Sequence, residues 1–230
     1  MEVNKKMRLA RFLAQAGIAS RRQAEKIIEA GRVKINGQLV KNLASQVSLQ
    51  DKIELDGKIL VVEKKVYYLL NKPKGYVSSV KDPHNPKNIL SLVPKIPRVF
   101  PVGRLDKDSQ GLIILTNDGD FAYQLTHPKF LCQKTYLVKV NKEIDTSLKS
   151  KLEKGLKFSE GLAKADRVKI LAKNELEIVL HQGFNRQIRR MLAELDYKVI
   201  FLKRIKEGNF SLGNLPEGKY IQINEKEIKK

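Results

Sequence analysis

Apolar positions along the first sixty residues change their period once, from helical to alternating. Leu9, Phe12, Leu13 and Ala16 recur at i, i+3, i+4 and i+7, the spacing of one helix face, and Gly17 supplies a C-terminal stop. Ser20 and Gln23 form a capping-box pattern ahead of Ala24, Ile27 and Ile28, and Gly31 closes this second helix. Then Val33 and Ile35 alternate with polar residues up to Asn36-Gly37, and Asp56-Gly57 lies between Ile53/Leu55 and Ile59/Val61. Both dipeptides suit tight hairpin turns. The pattern predicts a small domain over residues 1–62, built from a helix pair and hairpins, followed by a charged connector at 63–66. From Tyr67 onward, short strands at 111–116, 136–140 and 175–180 alternate with short helices near 120–126, 146–154 and 186–195. Residues 67–230 therefore read as an α+β domain with a substantial sheet.

Charge changes the picture. Lys and Arg number 45 against 25 Asp and Glu, and a formal net charge of +20 draws polyanions to the surface. Nine basic residues face three acidic ones within residues 1–34, and Arg8, Arg11, Arg21, Arg22, Lys26, Arg32 and Lys34 lie on or beside the helix pair. Such a cluster can neutralise RNA phosphates; a solvated polar face would carry similar charge. The single cysteine, Cys132, excludes an intramolecular disulfide, and His84, His127 and His181 are too widely spaced for a zinc-ligand pattern. A reducing cytoplasm and no structural metal are the expectation. No segment reaches the roughly 18 consecutive apolar residues that cross a bilayer, so no membrane partner is expected. "KEIKK" at the end reads as a frayed basic tail.

The stretch "FPVGRLDKDSQGLIILTNDGD", residues 100–120, places a strand from Val99 to Val102 before a turn at Gly103, and a second strand over Leu112–Leu115. Arg104, Asp106 and Asp108 then sit on a loop at the sheet edge, where catalytic side chains are commonly displayed. Asp and Gly are also ordinary turn residues. Asp118 reads as a turn former, Asp120 as the N-cap of the following helix, and His127-Pro128 as its end. In "GFNRQIRRML", Ile188, Met191, Leu192 and Leu195 form a docking face with Asn185 as N-cap, which leaves Arg186, Arg189 and Arg190 to other sides.

Four segments in order resemble the ribosomal large- and small-subunit pseudouridine synthases: "NKPKGYVSS" at 71–79, Gly103-Arg104-Leu105-Asp106 with its continuation to Gly119, "KTYLVKV" at 134–140 and "GFNRQIRRML" at 183–192. Residues 7–60, with "GIASRRQAEKIIEAGRVKING", are similar to the RNA-binding domain first described in the fourth protein of the small ribosomal subunit. The resemblance implies a helix-pair and hairpin RNA-binding domain joined to a catalytic domain with a mixed, largely antiparallel sheet and flanking helices. It implies that a uridine in ribosomal RNA or an assembly intermediate is flipped out and isomerised, with large-subunit RNA preferred over small. Asp106 becomes the essential carboxylate, Arg189 its guanidinium partner, and Tyr136 the ring that stacks on uracil while its hydroxyl handles protons. Lys72, Lys74 and Arg104 become phosphate or cleft contacts, with Arg186 and Arg190 among the RNA-binding arginines. No cofactor is required, because the isomerisation involves neither redox change nor group donor; a monomer is the default. Ser109 stands where many members carry Thr, and His181-Gln182 precedes Gly183 where many carry an acidic residue. Two other readings use the same residues. One is a non-catalytic RNA-binding or ribosome-assembly factor; the other is a metal-dependent nuclease built on Asp106, Asp108, Asp118 and Asp120.

Overall fold

The computed structural model describes residues 6–79 and 87–228, except the side chain of Lys226. His84 and the last two residues of the basic tail lie outside the described residues. The chain divides into two compact units, Met1–Lys65 and Val66–Lys230. Glu63 donates its N–H to Gln15 O (3.0 Å), so most of the expected connector belongs with the first unit. Val66 is held in the second by Asn117 Oδ1 (2.9 Å) and by the Thr116 hydroxyl (2.7 Å).

In the first unit, β1 (Met7–Arg8) leads into α1 (Leu9–Gln15) and α2 (Arg21–Glu29). The capping box on α2 forms: Ser20 Oγ accepts from Gln23 N, while Gln23 Oε1 accepts from Ser20 N. The strands are β2 (Val33–Ile35), β3 (Gln38–Val40), β4 (Gln46–Val47), β5 (Ile53–Leu55) and β6 (Lys58–Ile59). Both predicted hairpins are present, with β2 joining them in the order β3-β2-β5-β6. Leu9, Phe12 and Leu13 of α1 pack with Ala24 and Ile28 of α2 against Val33, Val47 and Ile53.

The second unit begins with β7 (Tyr67–Lys72), β8 (Phe100–Val102), β9 (Gln110–Thr116), α3 (Gly119–Thr126) and β10 (Lys134–Val140). It continues with α4 (Ser147–Lys154), β11 (Leu156–Phe158), β12 (Gly161–Ala163), β13 (Arg167–Ala172), β14 (Glu175–Leu180) and α5 (Gln187–Glu194). It ends with β15 (Val199–Glu207), β16 (Phe210–Ser211), β17 (Tyr220–Ile223) and α6 (Glu225–Ile228). One mixed sheet runs β13-β14-β10-β15-β9-β7-β17, antiparallel except where β15 runs parallel to β9. β7 and β9 are nearly continuous apolar runs because both faces are covered. Leu112 and Ile114 face a cluster with Phe121 and Phe210, while Ile113 and Leu115 face one with Ile89, Val99 and Leu105. Elsewhere Leu148 and Leu152 of α4, and Ile188, Met191 and Leu192 of α5, join the core over β10, β14 and β15.

Two helix starts differ from expectation. Asp118, not Asp120, caps α3: its Oδ1 accepts from Asp120 N (3.0 Å) and Phe121 N (3.3 Å), and its Oδ2 accepts the Tyr67 hydroxyl (2.9 Å). The Asp118 carboxylate, which takes two of the helix's free N–H groups, fixes the earlier start. At α5 the N-cap is Arg186 with φ 49°, not Asn185, and it makes no side-chain cap; Gln187 Oε1 instead folds back to accept Phe184 N (3.2 Å). His127 ends α3 and accepts Lys129 N through Nδ1 (3.3 Å) to start a short 3-10 turn over Pro128–Phe130, a structural role as expected.

One edge of β9 is shared. β8 pairs with its C-terminal half (Phe100↔Thr116, Val102↔Ile114), and β15 with its first residues (Lys203↔Gln110, Arg204↔Gly111). The loop 103–109 joins β8 to β9 where the edge passes from one partner to the other. Gly111 permits the closer approach: at φ +106° an added Cβ would lie 2.2 Å from Arg204 O. Gly111→Ala should therefore destabilise the protein by about 2–4 kcal/mol, as positive φ and overpacking against backbone combine. Urea unfolding should show a lower midpoint at unchanged slope.

Candidate active site

The β8–β9 loop is fixed before any side chain in it acts. Leu105 is buried, and its N–H and C=O both bond Ser78 Oγ (3.2 and 2.9 Å). Gly75 N donates to Lys107 O (2.7 Å), and Ser109 N donates to Asp106 O (3.1 Å). Beneath the loop, Lys72 Nζ donates to Ser109 O (2.6 Å), Asp106 O (3.1 Å) and Pro73 O (3.1 Å). Lys72, expected as a phosphate or cleft contact, is instead wholly buried, because its alkyl chain and ammonium complete the underside of this loop. These anchors leave the Asp106 carboxylate at the surface of the fold, 28% exposed.

Helix α5 brings the guanidinium groups. Arg186 makes a paired contact with Asp108 (Nη1–Oδ1 2.9 Å, Nη2–Oδ2 3.0 Å), and its Nη1 lies 3.8 Å from Asp106 Oδ2. Arg189, the expected partner of Asp106, grips its neighbour instead. Its Nη2 donates to Asp108 O (3.0 Å) and Ser109 Oγ (3.4 Å), Nε lies 3.3 Å from Asp108 Oδ2, and Nη1 donates to Val199 O (3.3 Å). The reason is placement: Arg189 is the third residue of α5 and reaches the end of the loop at Asp108 and Ser109. Arg186, left-handed and ahead of the first turn, approaches Asp106 from the loop side. The Arg186 hydrogen bond, more than the added charge of Arg189, holds the Asp108 carboxyl below its usual range.

Tyr136 of β10 completes the group. It is partly exposed, while burial pushes its hydroxyl pKa up against the opposing influence of Arg204; the charge of Asp106 also raises it. The structure thus brings together Asp106, Tyr136, Arg186 and Arg189, with Lys72 below. Lys74 and Arg104 are exposed, Arg104 at the start of the loop and Lys74 beside Gly75, which bonds Lys107. Arg190 turns away, paired with Glu160 (Nη1–Oε1 2.6 Å, Nη2–Oε2 3.0 Å) and stacked 4.2 Å from the Phe158 ring centre. Gln182 accepts from Gln187 Nε2 (2.9 Å) and donates to Leu162 O (3.0 Å), and His181 Nδ1 lies 2.6 Å from Asp166 Oδ1. These two residues therefore tie α5 and β14 to their neighbours. Of the four aspartates in the nuclease reading, Asp118 is spent on the α3 cap and Asp108 on two arginines. Among the described residues no group of three His, Cys, Asp or Glu side chains is arranged to hold a metal ion.

Sequence reasoning missed Asp108 as the arginine anchor, Ser78 as the loop fastener, and the buried pair Arg204 and Glu207. Asp108 was visible inside the motif but reads as a turn residue. Arg204 lies beside Lys203 in a strand rich in basic residues, where a solvent-facing arginine is the ordinary expectation.

In the first unit, Arg8, Arg21, Arg22, Lys26 and Lys34 are exposed and Arg11 is half-buried. Arg22 and Lys26, one turn apart, face away from buried Ala24 and Ile28. Arg32 is committed to a forked contact with Asp56, through Nε–Oδ1 (3.1 Å) and Nη2–Oδ2.

Residues 66–194 match the family model for RNA pseudouridylate synthase, and residues 7–53 match the S4 domain. The chain belongs to the RNA pseudouridine synthase family and carries an S4 domain ahead of the catalytic one. An uncharacterized RNA pseudouridine synthase of Aquifex aeolicus is 41% identical, over 96% of this chain and 92% of its own. The ribosomal large subunit pseudouridine synthase B of Bacillus subtilis is 39% identical over 97% and 94%. A crystal structure of a pseudouridylate synthase superposes with a TM-score of 0.71 at 33% identity, covering 97% of this chain and 99% of that one. No helix among the described residues is long and apolar enough to cross a membrane.

Burial lowers the Lys72 pKa from its ordinary 10.5 to about 8, against the pull of Asp106, Asp108 and Glu217. Between these values the unfolded chain binds the extra proton, so Lys72 makes stability rise with pH across this window, by up to about 3 kcal/mol. Urea unfolding from about pH 7 to pH 10 should show this rise for the wild type relative to Lys72→Met. Equal pH slopes for the two proteins would refute it.

Proposed function

We propose that this enzyme isomerises one uridine of ribosomal RNA, in the large subunit, to pseudouridine, with Asp106 as the essential carboxylate. The observation that carries this is the fixed loop: it holds a partly exposed carboxylate beside Tyr136 and a guanidinium, at the surface of a protein with net charge +20. The reaction breaks the bond from ribose C1′ to uracil N1, turns the base, and forms the bond from C1′ to C5; the proton leaving C5 is balanced by one gained at N1. An ionised carboxylate can attack sugar or base, or take a proton in an elimination route. Arg186 and Arg189 favour the charged loop, and Tyr136 can stack on the flipped base. The balance is internal, so the reading includes no cofactor. Large-subunit RNA is favoured by the similarity to the Bacillus subtilis relative, a ribosomal large subunit pseudouridine synthase. The S4-type unit supplies phosphate contacts through Arg8, Arg11, Arg21, Arg22, Lys26 and Lys34, and the enzyme works as a monomer in the cytoplasm.

Pseudouridine mapping of ribosomal RNA from cells carrying the normal gene, a deletion or Asp106→Asn tests the reading. One large-subunit modification should vanish in both altered strains and return with the normal protein; an unchanged map, with the purified enzyme also inert, favours the non-catalytic binding factor.

The paired variant Arg22→Ala/Lys26→Ala should bind ribosomal RNA more weakly and lower the slope of log affinity against log salt by about 1–2. Unchanged salt dependence in filter binding would remove these two residues from the interface.

A further inference from the structure

Strand β15 buries Leu202 and Arg204 two residues apart, then Glu207 three residues further on. In a regular strand Arg204 and Glu207 would face opposite sides of the sheet. A bulge removes the conflict. β10 pairs Thr135 with Lys206 and Tyr136 with Arg204, so Ile205 is the extra residue and the register shifts there. Lys134, Tyr136, Arg204 and Glu207 thereby come onto one face, with Lys134 opposite Glu207 and Tyr136 opposite Arg204.

The Arg204 side chain is completely enclosed. Its Nε donates to Leu112 O (2.7 Å), its Nη2 lies 3.0 Å from Glu207 Oε2, and the strand register sets it directly across from Tyr136 of β10. Arg204 is 1% exposed and Glu207 is 0% exposed, far from the usual state of such residues. Removing two charges from water costs several kcal/mol each, and apolar replacements of similar volume are often as stable or more so. The pair therefore needs a reason other than stability, and its position behind Tyr136 supplies one.

We propose that Arg204 is a positioning residue for Tyr136: the β15 bulge and Glu207 hold its guanidinium where it fixes the tyrosine hydroxyl beside Asp106. This rests on the reading of Tyr136 as part of the active site. With its hydroxyl end held from behind, the ring keeps one orientation toward the base. The charged groups acting on that hydroxyl are Arg204, Glu207 and Asp106, and Lys134 acts on Glu207.

The test uses full-length enzyme and the paired variant Arg204→Met/Glu207→Leu, which removes both buried charges together and avoids stranding either. Cooperative urea unfolding first verifies the fold, and Arg204→Lys, which keeps the charge but not the fork, serves as a second variant. On ribosomal RNA lacking the modification, the paired variant should show a fall in kcat of about 10–100-fold with KM little changed, as misplacement of one reacting group would give. Arg204→Lys should recover part of the loss. In a Tyr136→Phe background the same pair should cost less than about threefold, because the group it positions is absent. Equal losses in both backgrounds, or an undiminished kcat in the Tyr136-containing enzyme, would overturn the proposal. The 13Cζ resonance of Tyr136 at neutral pH, assigned through Tyr136→Phe, gives a readout independent of substrate. It should move in the paired variant; an unmoved resonance overturns the contact itself. A moved resonance in an enzyme inert on all ribosomal RNA would uphold the contact while rejecting the proposed substrate.

Discussion

The buried ammonium of Lys72 is the contact on which the site depends. Three backbone carbonyls, from Pro73, Asp106 and Ser109, converge on one nitrogen with almost no access to water. A loop of seven residues between β8 and β9 would otherwise carry its polar groups into an apolar setting, where each unmade bond costs about 1–3 kcal/mol. The lysine satisfies them from below, and Ser78 does the same for Leu105. What results is a backbone held by hydrogen bonds at Leu105, Asp106 and Ser109. Rigidity at the carboxylate is thus a property of β7 and its continuation as much as of the loop.

The arginines extend the same logic from the other side. Asp108 takes two guanidinium groups, and Arg189 adds a donor to its carbonyl, so α5 is tied to the loop through a residue that is not itself the one displayed. Arg186 adopts a left-handed backbone to do this, a conformation that costs a non-glycine residue about 1 kcal/mol or more. Strain of that kind persists where surrounding contacts over-determine it, and the forked contact with Asp108 is such a contact. Asp106 is left with a longer contact at 3.8 Å, held in the field of Arg186 without being capped by it.

Much of this was legible in the residues. The capping box at Ser20, the hairpins at Asn36-Gly37 and Asp56-Gly57, and the strand of Glu175–Leu180 follow from local chemistry, and the structure contains them all. Asp106 stood out because a whole string of residues around it carries a family resemblance; its loop position also follows from Gly103 and the flanking apolar runs. Other features depend on pairing that no local pattern encodes. Lys72 follows four apolar residues and Asn71, yet only the return of the 103–109 loop over β7 buries it. The exchange of Arg189 for Arg186 beside Asp106 depends on where α5 begins, and that start was misread at Asn185 because the side chain that folds back belongs to Gln187. Arg204 was hidden for the same kind of reason: Lys203 and Arg204 are adjacent basic residues, and only the bulge at Ile205 and the pairing with β10 decide which of them is enclosed.

Charge is distributed in two different ways across this chain, and the difference follows from what each group must contact. Around the loop, Arg186 and Arg189 are matched by Asp106 and Asp108, and Arg204 by Glu207, so these arginines are committed to internal partners with fixed geometry. On α2, Arg22 and Lys26 are exposed on the side away from the core, where long basic side chains can follow an irregular phosphate backbone. Arg32 and Arg190 show that exposure alone does not put an arginine in the second class, since each is held in a fork by a carboxylate. Long-range attraction follows the sum over all charges of both signs, a net +20. Arg22 and Lys26, by contrast, carry their share of that charge exposed at the surface of α2.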